Sequence, residues 1–233
     1  MRDLLLLDMI QQLMEVFFVK MAEQITEEKE EKVEKEQFKL FDLYSTEELE
    51  IKDKAIKPYI GLDGKLVLKS YGRRKFDKFA KAKFNILERF ANRIAVPGHV
   101  GKKHKIITSW SSGAYENNMN IVLKALKIVE EKTKKNPMQV LIDAIENGSP
   151  RDEITVIEHA GARYPQAVDT SPMRRVDLAV RWMVQGAYSK AFGKKGKMYE
   201  TLANEIMKAA EGNMESYSLM KKNDAEKQAD SAR

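Results

Sequence analysis

The chain has 233 residues and no cysteine, with 41 lysines and arginines against 35 acids, for a net charge of +6. That length suits one or two domains with a real core. The lack of cysteine excludes a disulfide framework, a thiolate zinc site and a cysteine nucleophile, and fits a reducing cytoplasm. The charge is unevenly spread. Residues 1–21 are net −1, and residues 22–53 hold five lysines against twelve acids, net −7. Residues 54–233 carry 34 cations against 20 acids, net +14. An acidic arm thus precedes a basic body, and a basic body suits a polyanion such as nucleic acid, or an anionic membrane.

The first twenty residues are apolar, but Asp8, Gln11, Gln12 and Glu15 interrupt the run, so a transmembrane helix is not expected. Arg2 is offset by Asp3 and no small-residue cleavage site follows, so neither is a signal peptide. Two readings remain: an amphipathic helix that docks on a partner, or an over-extended leader ahead of a start at Met21. Residues 22–37 are rich in Glu and Lys. They form either a solvated helix held by Glu–Lys pairs or a disordered arm. Phe38-Lys39-Leu40-Phe41, then Ile51, Ile56, Tyr59 and Ile60, supply apolar anchors where order is expected to begin. The expected division is a leader and acidic arm over 1–60, and a helical domain over 61–233.

Residues 73–83 carry Arg73, Arg74, Lys75, Lys78, Lys81 and Lys83 around Phe76 and Phe79, with Asp77 as the single acid. The phenylalanines read as core. The cations repel one another unless phosphate neutralises them. A helix follows over Asn85 to Val96, with Ile86, Leu87, Phe90 and Ile94 as its inner stripe and Arg93 near its end, and Pro97-Gly98 stops it. The segment Gly98 to Tyr115 reads as a long basic loop with Lys102, Lys103, His104 and Lys105. It lacks the earlier glycine and the Gly-Lys-Ser/Thr of a P-loop. Asn117 to Thr133 is an amphipathic helix on Met119, Val122, Leu126 and Val129. Asn136 caps the next helix, Pro137 takes its first position, Gln139 stands where a capping box would put it, and Gly148 ends it.

Arg151 opens a β-hairpin over 152–170 that reverses at Ala160-Gly161 and carries His159, Gly161, Arg163 and Tyr164 at its tip. A two-stranded ribbon is marginal alone in water, and Pro165 cannot donate to its ladder, so bracing from outside the chain is expected. Ser171 caps and Pro172 opens a helix whose inner face is Val176, Val180, Met183 and Ala187. Trp182 belongs either to the core or to the edge of a groove. The helix starts with Arg174 and Arg175, the wrong sign for its dipole. One account pairs Arg174 with Asp177, and Asp177 with Arg181. The favoured account puts a phosphate at the helix start. On that account, reversing both arginines abolishes RNA binding and spares the fold. Lys194, Lys195 and Lys197 form a basic turn after Ala191. Met198 to Ala210 is another helix, Asn213 a possible cap for a last one, and the remainder a polar tail.

No motif supports catalysis. The three histidines lack metal-ligand spacing, and there is neither a nucleophile elbow nor a dinucleotide fingerprint. No cofactor, metal, small-molecule substrate or membrane partner is expected. Two alternatives follow from composition: a helical DNA-binding or architectural protein, and an enzyme acting on RNA.

Five groups of residues, taken in order, carry a resemblance. They are Asn136-Pro137-Met138-Gln139-Val140-Leu141, Gly148-Ser149-Pro150-Arg151, Tyr164-Pro165-Gln166-Ala167-Val168-Asp169, Ser171-Pro172-Met173-Arg174-Arg175-Val176-Asp177, and Ala209-Ala210 through Ser216-Tyr217-Ser218. Together with Leu87-Glu88-Arg89-Phe90-Ala91-Asn92-Arg93, they resemble small-subunit ribosomal protein seven in its archaeal and eukaryotic branch. The likeness spans roughly Phe38 to Arg233. It implies a mainly α fold: a bundle of about six helices with one protruding β-hairpin and an extended N-terminal arm. It also implies a structural ribosomal protein that binds the 3′ major domain of small-subunit rRNA and nucleates head assembly. Such a protein lies near exit-site tRNA and the mRNA path, beside neighbouring ribosomal proteins. The resemblance carries rRNA contact onto Arg174, Arg175, the run Arg73 to Lys83, and Lys102, Lys103 and His104. The other expected cations are Arg93, Lys105, Arg151, Lys194, Lys195 and Lys197. It directs the hairpin tip, His159 to Tyr164, towards the tRNA exit region. The family's basic run before Phe84 usually contains His and Gly, and this one does not. The segments His104 to Tyr115 and Met1 to Lys20 have no clear counterpart.

Overall fold

The computed structural model describes residues 40, 43–46, 49–65, 67–70, 78–99 and 113–233. The chain divides into two units, Met1–Glu47 with Gly64–Leu66, and Glu48–Asp63 with Val67–Arg233. In the first, Leu40 and Tyr44 form an isolated antiparallel bridge, with Leu40 N donating to Tyr44 O at 3.0 Å. The second is the helical body. It includes the segment around Ile56, part of the stretch assigned from sequence to the arm.

Among the described residues the body has six α-helices and one hairpin. These are α1 (Ile86–Ile94), α2 (Tyr115–Thr133), α3 (Pro137–Gly148), β1 (Asp152–His159), β2 (Ala162–Asp169), α4 (Pro172–Ala191), α5 (Met198–Ala210) and α6 (Tyr217–Ser231). The apolar stripes read from the sequence are the buried faces. Ile86, Leu87, Phe90 and Ile94 of α1, Met119, Val122, Leu126 and Val129 of α2, and Val176, Val180, Met183 and Ala187 of α4 are all buried. Helix α5 lies at the centre, packed on α2, α3 and α4.

The caps are partly as expected. Asn136 Oδ1 accepts from Met138 N at 3.0 Å, and Asn85 does the same for Leu87 N. Gln139 closes no capping box. Its amide instead exchanges two 3.0 Å hydrogen bonds with the backbone of Glu50 and docks the segment before Ile56 on α3. Ser171 stands at the N-cap of α4 without a side-chain cap bond. Asn213 does not cap the last helix. It accepts from Glu215 N, and Ser216 takes the N-cap position of α6.

The polar tail forms the last helix, left open by the sequence. Its helix, α6, buries little apolar surface, chiefly Leu219 and Ala229. Polar bonds hold it instead. Glu205 of α5 is fully buried and accepts from Ser216 Oγ at 2.7 Å, Ser218 N at 3.2 Å and Lys190 Nζ at 2.6 Å. At this crossing Gly186 of α4 lets α6 approach closely, since a Cβ there would stand 2.5 Å from Tyr217 Cβ. Gly186→Ala gains up to ~1 kcal/mol of helix propensity but forces an overpacking cost of about 1–3 kcal/mol. A lower midpoint in urea is the expected outcome.

The hairpin is in simple antiparallel register, from Asp152 opposite Asp169 to His159 opposite Ala162. Ala160 (φ 51°) and Gly161 (φ 80°) form its two-residue loop, and two positive φ values are what a type I′ turn needs. Bracing from outside the chain is not what holds its base. Helix α6 packs on β1, Glu226 accepts from Arg151 N at 3.1 Å, and Arg233 bonds Asp152 at 2.5 Å. The distal half is exposed at Val156 and Tyr164.

Candidate nucleic-acid interface

The head of α4 carries the two arginines singled out from sequence, and the structure gives them different roles. Arg174, half exposed, grips Glu153 of β1 through both Nε (2.5 Å) and Nη2 (2.7 Å). The Arg175 side chain is only 11% exposed, and its Nη2 donates to Asp53 at 2.7 Å and Ser149 Oγ at 3.3 Å. The local pairing of Asp177 with Arg174 and Arg181, the less favoured account, is not formed. Asp177 instead accepts from Arg89 of α1 at 2.7 Å and from Lys81 at 2.8 Å. Carboxylates remote in sequence therefore account for much of the apparent charge anomaly. Arg175 is a clamp between segments, and Arg174 is the one of the pair that a phosphate can reach.

Lys78, Lys81 and Lys83 lie on or beside a short 3-10 turn, Ala80–Lys83, before α1. Phe79 precedes that turn in a left-handed conformation (φ 55°) with its ring exposed, so it is not the core residue expected. It borders a cleft of about 250 Å³ shared with Tyr59, Met173, Arg174 and Arg181. The turn and the exposed face of α4 thus form one basic region. Arg151 is exposed at the foot of the hairpin. It borders a second cleft, about 530 Å³, with Lys52, Lys54, Arg175 and Lys222. Burial, and after it the charges of Arg151 and Arg175, lower the pKa of Lys222 against the pull of Glu226. Lys194, Lys195 and Lys197 are exposed beyond the far end of α4. At 1.5 Å per residue, that is on the order of 30 Å from Arg174. Lys197 Nζ lies 5.7 Å from the Tyr199 ring centre.

At the hairpin tip, Arg163 pairs with Glu158 at 3.3 Å, and Tyr164 is exposed. His159 ends β1, and its side chain is outside the described set. Arg73, Arg74, Lys75, Lys102, Lys103, His104 and Lys105 also lie outside the described residues. Reading the sequence missed Arg181, Lys221, Lys222, Lys52 and Lys54. A helical spacing of seven from Arg174 puts Arg181 on the same face, and that signal was available. Arg181 lines a third groove with half-buried Arg93 and with Trp182, which sits at a groove edge. Among the described residues no group of His, Asp or Glu side chains could hold a metal ion, and no helix is long and apolar enough to cross a membrane.

Comparison with known proteins meets this geometry. The sequence profile of the family described as "Ribosomal protein S7p/S5e" matches residues 69–233. The chain is 44% identical over 195 residues to the small ribosomal subunit protein uS7 of Nanoarchaeum equitans, covering 84% of this chain and 98% of that one. It is 43% identical over 195 residues to the protein of the same name from Archaeoglobus fulgidus, covering 83% and 94% of the two chains. With that of Methanothermobacter thermautotrophicus the identity is 41% over 194 residues, covering 83% and 98%. A match of this extent, on a helical body with one hairpin, shows that the chain belongs to the ribosomal protein S7p/S5e family.

Proposed function

We propose that the chain is a structural constituent of the small ribosomal subunit in the cytoplasm, a protein that binds rRNA and catalyses no reaction. Its partners are the 3′ major domain of small-subunit rRNA, where it nucleates assembly of the head, and neighbouring ribosomal proteins. The hairpin tip, around Gly161, Arg163 and Tyr164, reaches towards exit-site tRNA and the mRNA path. The observation that carries this reading is the placement of exposed cations, on a member of this family, along the face of α4, at its far end and at the hairpin foot. Phosphate contacts spread in this way recognise the shape of a folded RNA rather than a base sequence.

Affinity built on phosphate contacts falls steeply with salt. Binding of a 3′ major domain fragment is expected to give a log–log slope on the order of −4 to −8, measured by filter retention from low to moderate salt. A flat dependence would overturn the reading. Equal displacement of the rRNA by duplex DNA would favour an architectural DNA-binding protein instead. Chemical footprinting of small-subunit rRNA with and without the protein is expected to show protections clustered in the 3′ major domain.

A further inference from the structure

The groove beside Arg181 has a volume of about 470 Å³ and lies between the end of α1, the middle of α4 and the first turns of α6. Arg93, Arg181 and Lys221 line it with His99, Trp182, Gln185 and Tyr217, and among the described residues no carboxylate does. Lys221 has Asp224 at 3.2 Å on its own helix. The two arginines are less well matched. Among the described residues, Arg93 Nε is buried without a hydrogen-bond partner, and its Nη2 reaches only the His99 carbonyl, at 3.5 Å. Arg181 makes no hydrogen bond or ion pair with any described residue. Burial, and after it the like charge of Arg181, push the Arg93 guanidinium below its ordinary value, against a weaker opposing pull from Asp177. Like charges brought together without a carboxylate are stabilised by an anion.

The rest of the lining suits what an anion would carry. Trp182 and Tyr217 offer an indole and a phenol ring within one groove, and aromatic faces hold unpaired bases by stacking. Gln185 gives its Nε2 hydrogen to the His99 carbonyl at 2.6 Å, so its amide is fixed and its oxygen is left to accept. Bases within an A-form duplex are stacked on one another and cannot enter such a groove. We infer that this groove takes a single unpaired ribonucleotide, its phosphate held by Arg93 and Arg181 and its base stacked on Trp182 or Tyr217. The inference rests on the rRNA-binding reading above and deepens it, because it makes this groove a stacking site and not only one more phosphate contact.

The chain has two tryptophans, so Trp110→Phe leaves Trp182 as the only indole reporter. In that protein, a single-stranded adenylate hexamer is expected to quench the fluorescence saturably. An RNA duplex at equal phosphate concentration is expected to leave it unchanged. By anisotropy of a labelled hexamer, Trp182→Leu and Arg181→Gln should each weaken binding about 10-fold, while Trp182→Phe and Arg181→Lys retain most of it. Thermal melts check folding, and if either disruptive variant melts early, the conservative pair and the quenching in the Trp110→Phe protein decide the matter. Equal quenching by duplex, no quenching by hexamer, or unchanged hexamer affinity in both disruptive variants would overturn the inference. A 3′ major domain fragment that binds tightly without altering Trp182 fluorescence would overturn the groove alone. Failure of the wild-type protein to bind that fragment would overturn the functional reading as well.

Discussion

Replacing Asp177 with alanine is expected to destabilise the protein by about 3–5 kcal/mol, the cost of leaving one partner of a buried ion pair uncompensated. Arg89 is 3% exposed, and its charge is met by Asp177 at 2.7 Å, with the Tyr59 carbonyl at 2.8 Å as its other partner. Without the carboxylate, a guanidinium stays buried with one backbone oxygen for company. Urea denaturation followed by helical circular dichroism measures the loss, and a change below about 1 kcal/mol would mean that Arg89 regains water on substitution. A pH signature accompanies it. Burial pushes the Asp177 carboxyl up, but the hydrogen bonds from Lys81 and Arg89 prevail and hold it below its ordinary 3.8. Asp53 is lowered in the same way, burial being outweighed by the Ala55 amide and by Arg175. A carboxylate lowered on folding contributes fully above its unfolded value, and the contribution is lost as pH falls through its folded value. The wild-type protein should therefore lose stability below about pH 4, and the Asp177→Ala protein should lose less over the same range.

Arg174→Glu and Arg175→Glu, at adjacent positions, are expected to fail in opposite ways. At 175 the new carboxylate would face Asp53 across a position only 11% exposed, where the guanidinium sits at 2.7 Å. Two acids in that space and the loss of the clamp on Ser149 should cost roughly 3 kcal/mol or more. At 174 the side chain is half exposed, so both the lost pair with Glu153 and the acid–acid repulsion that replaces it are screened by water, at about 0–1 kcal/mol each, and the fold should change little. RNA binding reports the converse. Arg174→Glu should weaken rRNA affinity at low salt and flatten the log–log slope by about 1. Arg175→Glu should lose binding only in step with unfolding. Equal loss of stability in both variants would show that Arg174 too is a structural residue. The double reversal expected from sequence to spare the fold is therefore expected to unfold it.

The contrast shows where sequence reasoning reached and where it stopped. Helices with an apolar period, such as α2 and α4, were legible because burial of the stripe is their main source of stability. The hairpin was legible from Ala160-Gly161, since few residue pairs adopt two successive positive φ values easily. Helix α6 was legible only as a possible last helix after Asn213, because its stripe is thin and its hold depends on Glu205, Lys222 and Glu226, whose partners are distant in sequence or buried by the fold itself. The same limit governed the candidate site. Local charge spacing suggested Asp177 as the partner of Arg174 and Arg181, but the pairs that form join Asp177 to Arg89, and Arg175 to Asp53, across 88 and 122 positions. Periodicity identifies a face, but it does not identify a carboxylate brought from another segment. Arg181 and Trp182 became a groove only when α1 and α6 were packed beside α4.

The clamp on Asp53 also has a bearing on time. The chain is made from its N-terminus, and 122 positions separate Asp53 from Arg175. At about 5–20 residues per second, roughly 6–24 s pass between the two during synthesis. For that interval the short 3-10 turn Lys57–Tyr59, beside the fully buried Ile56, has no α4 to lie against, and Gln139 and Glu146 arrive only shortly before. The first segment of the body to be synthesised is thus among the last to be secured, so the nascent protein passes through a stage in which this stretch is open to chaperones and proteases.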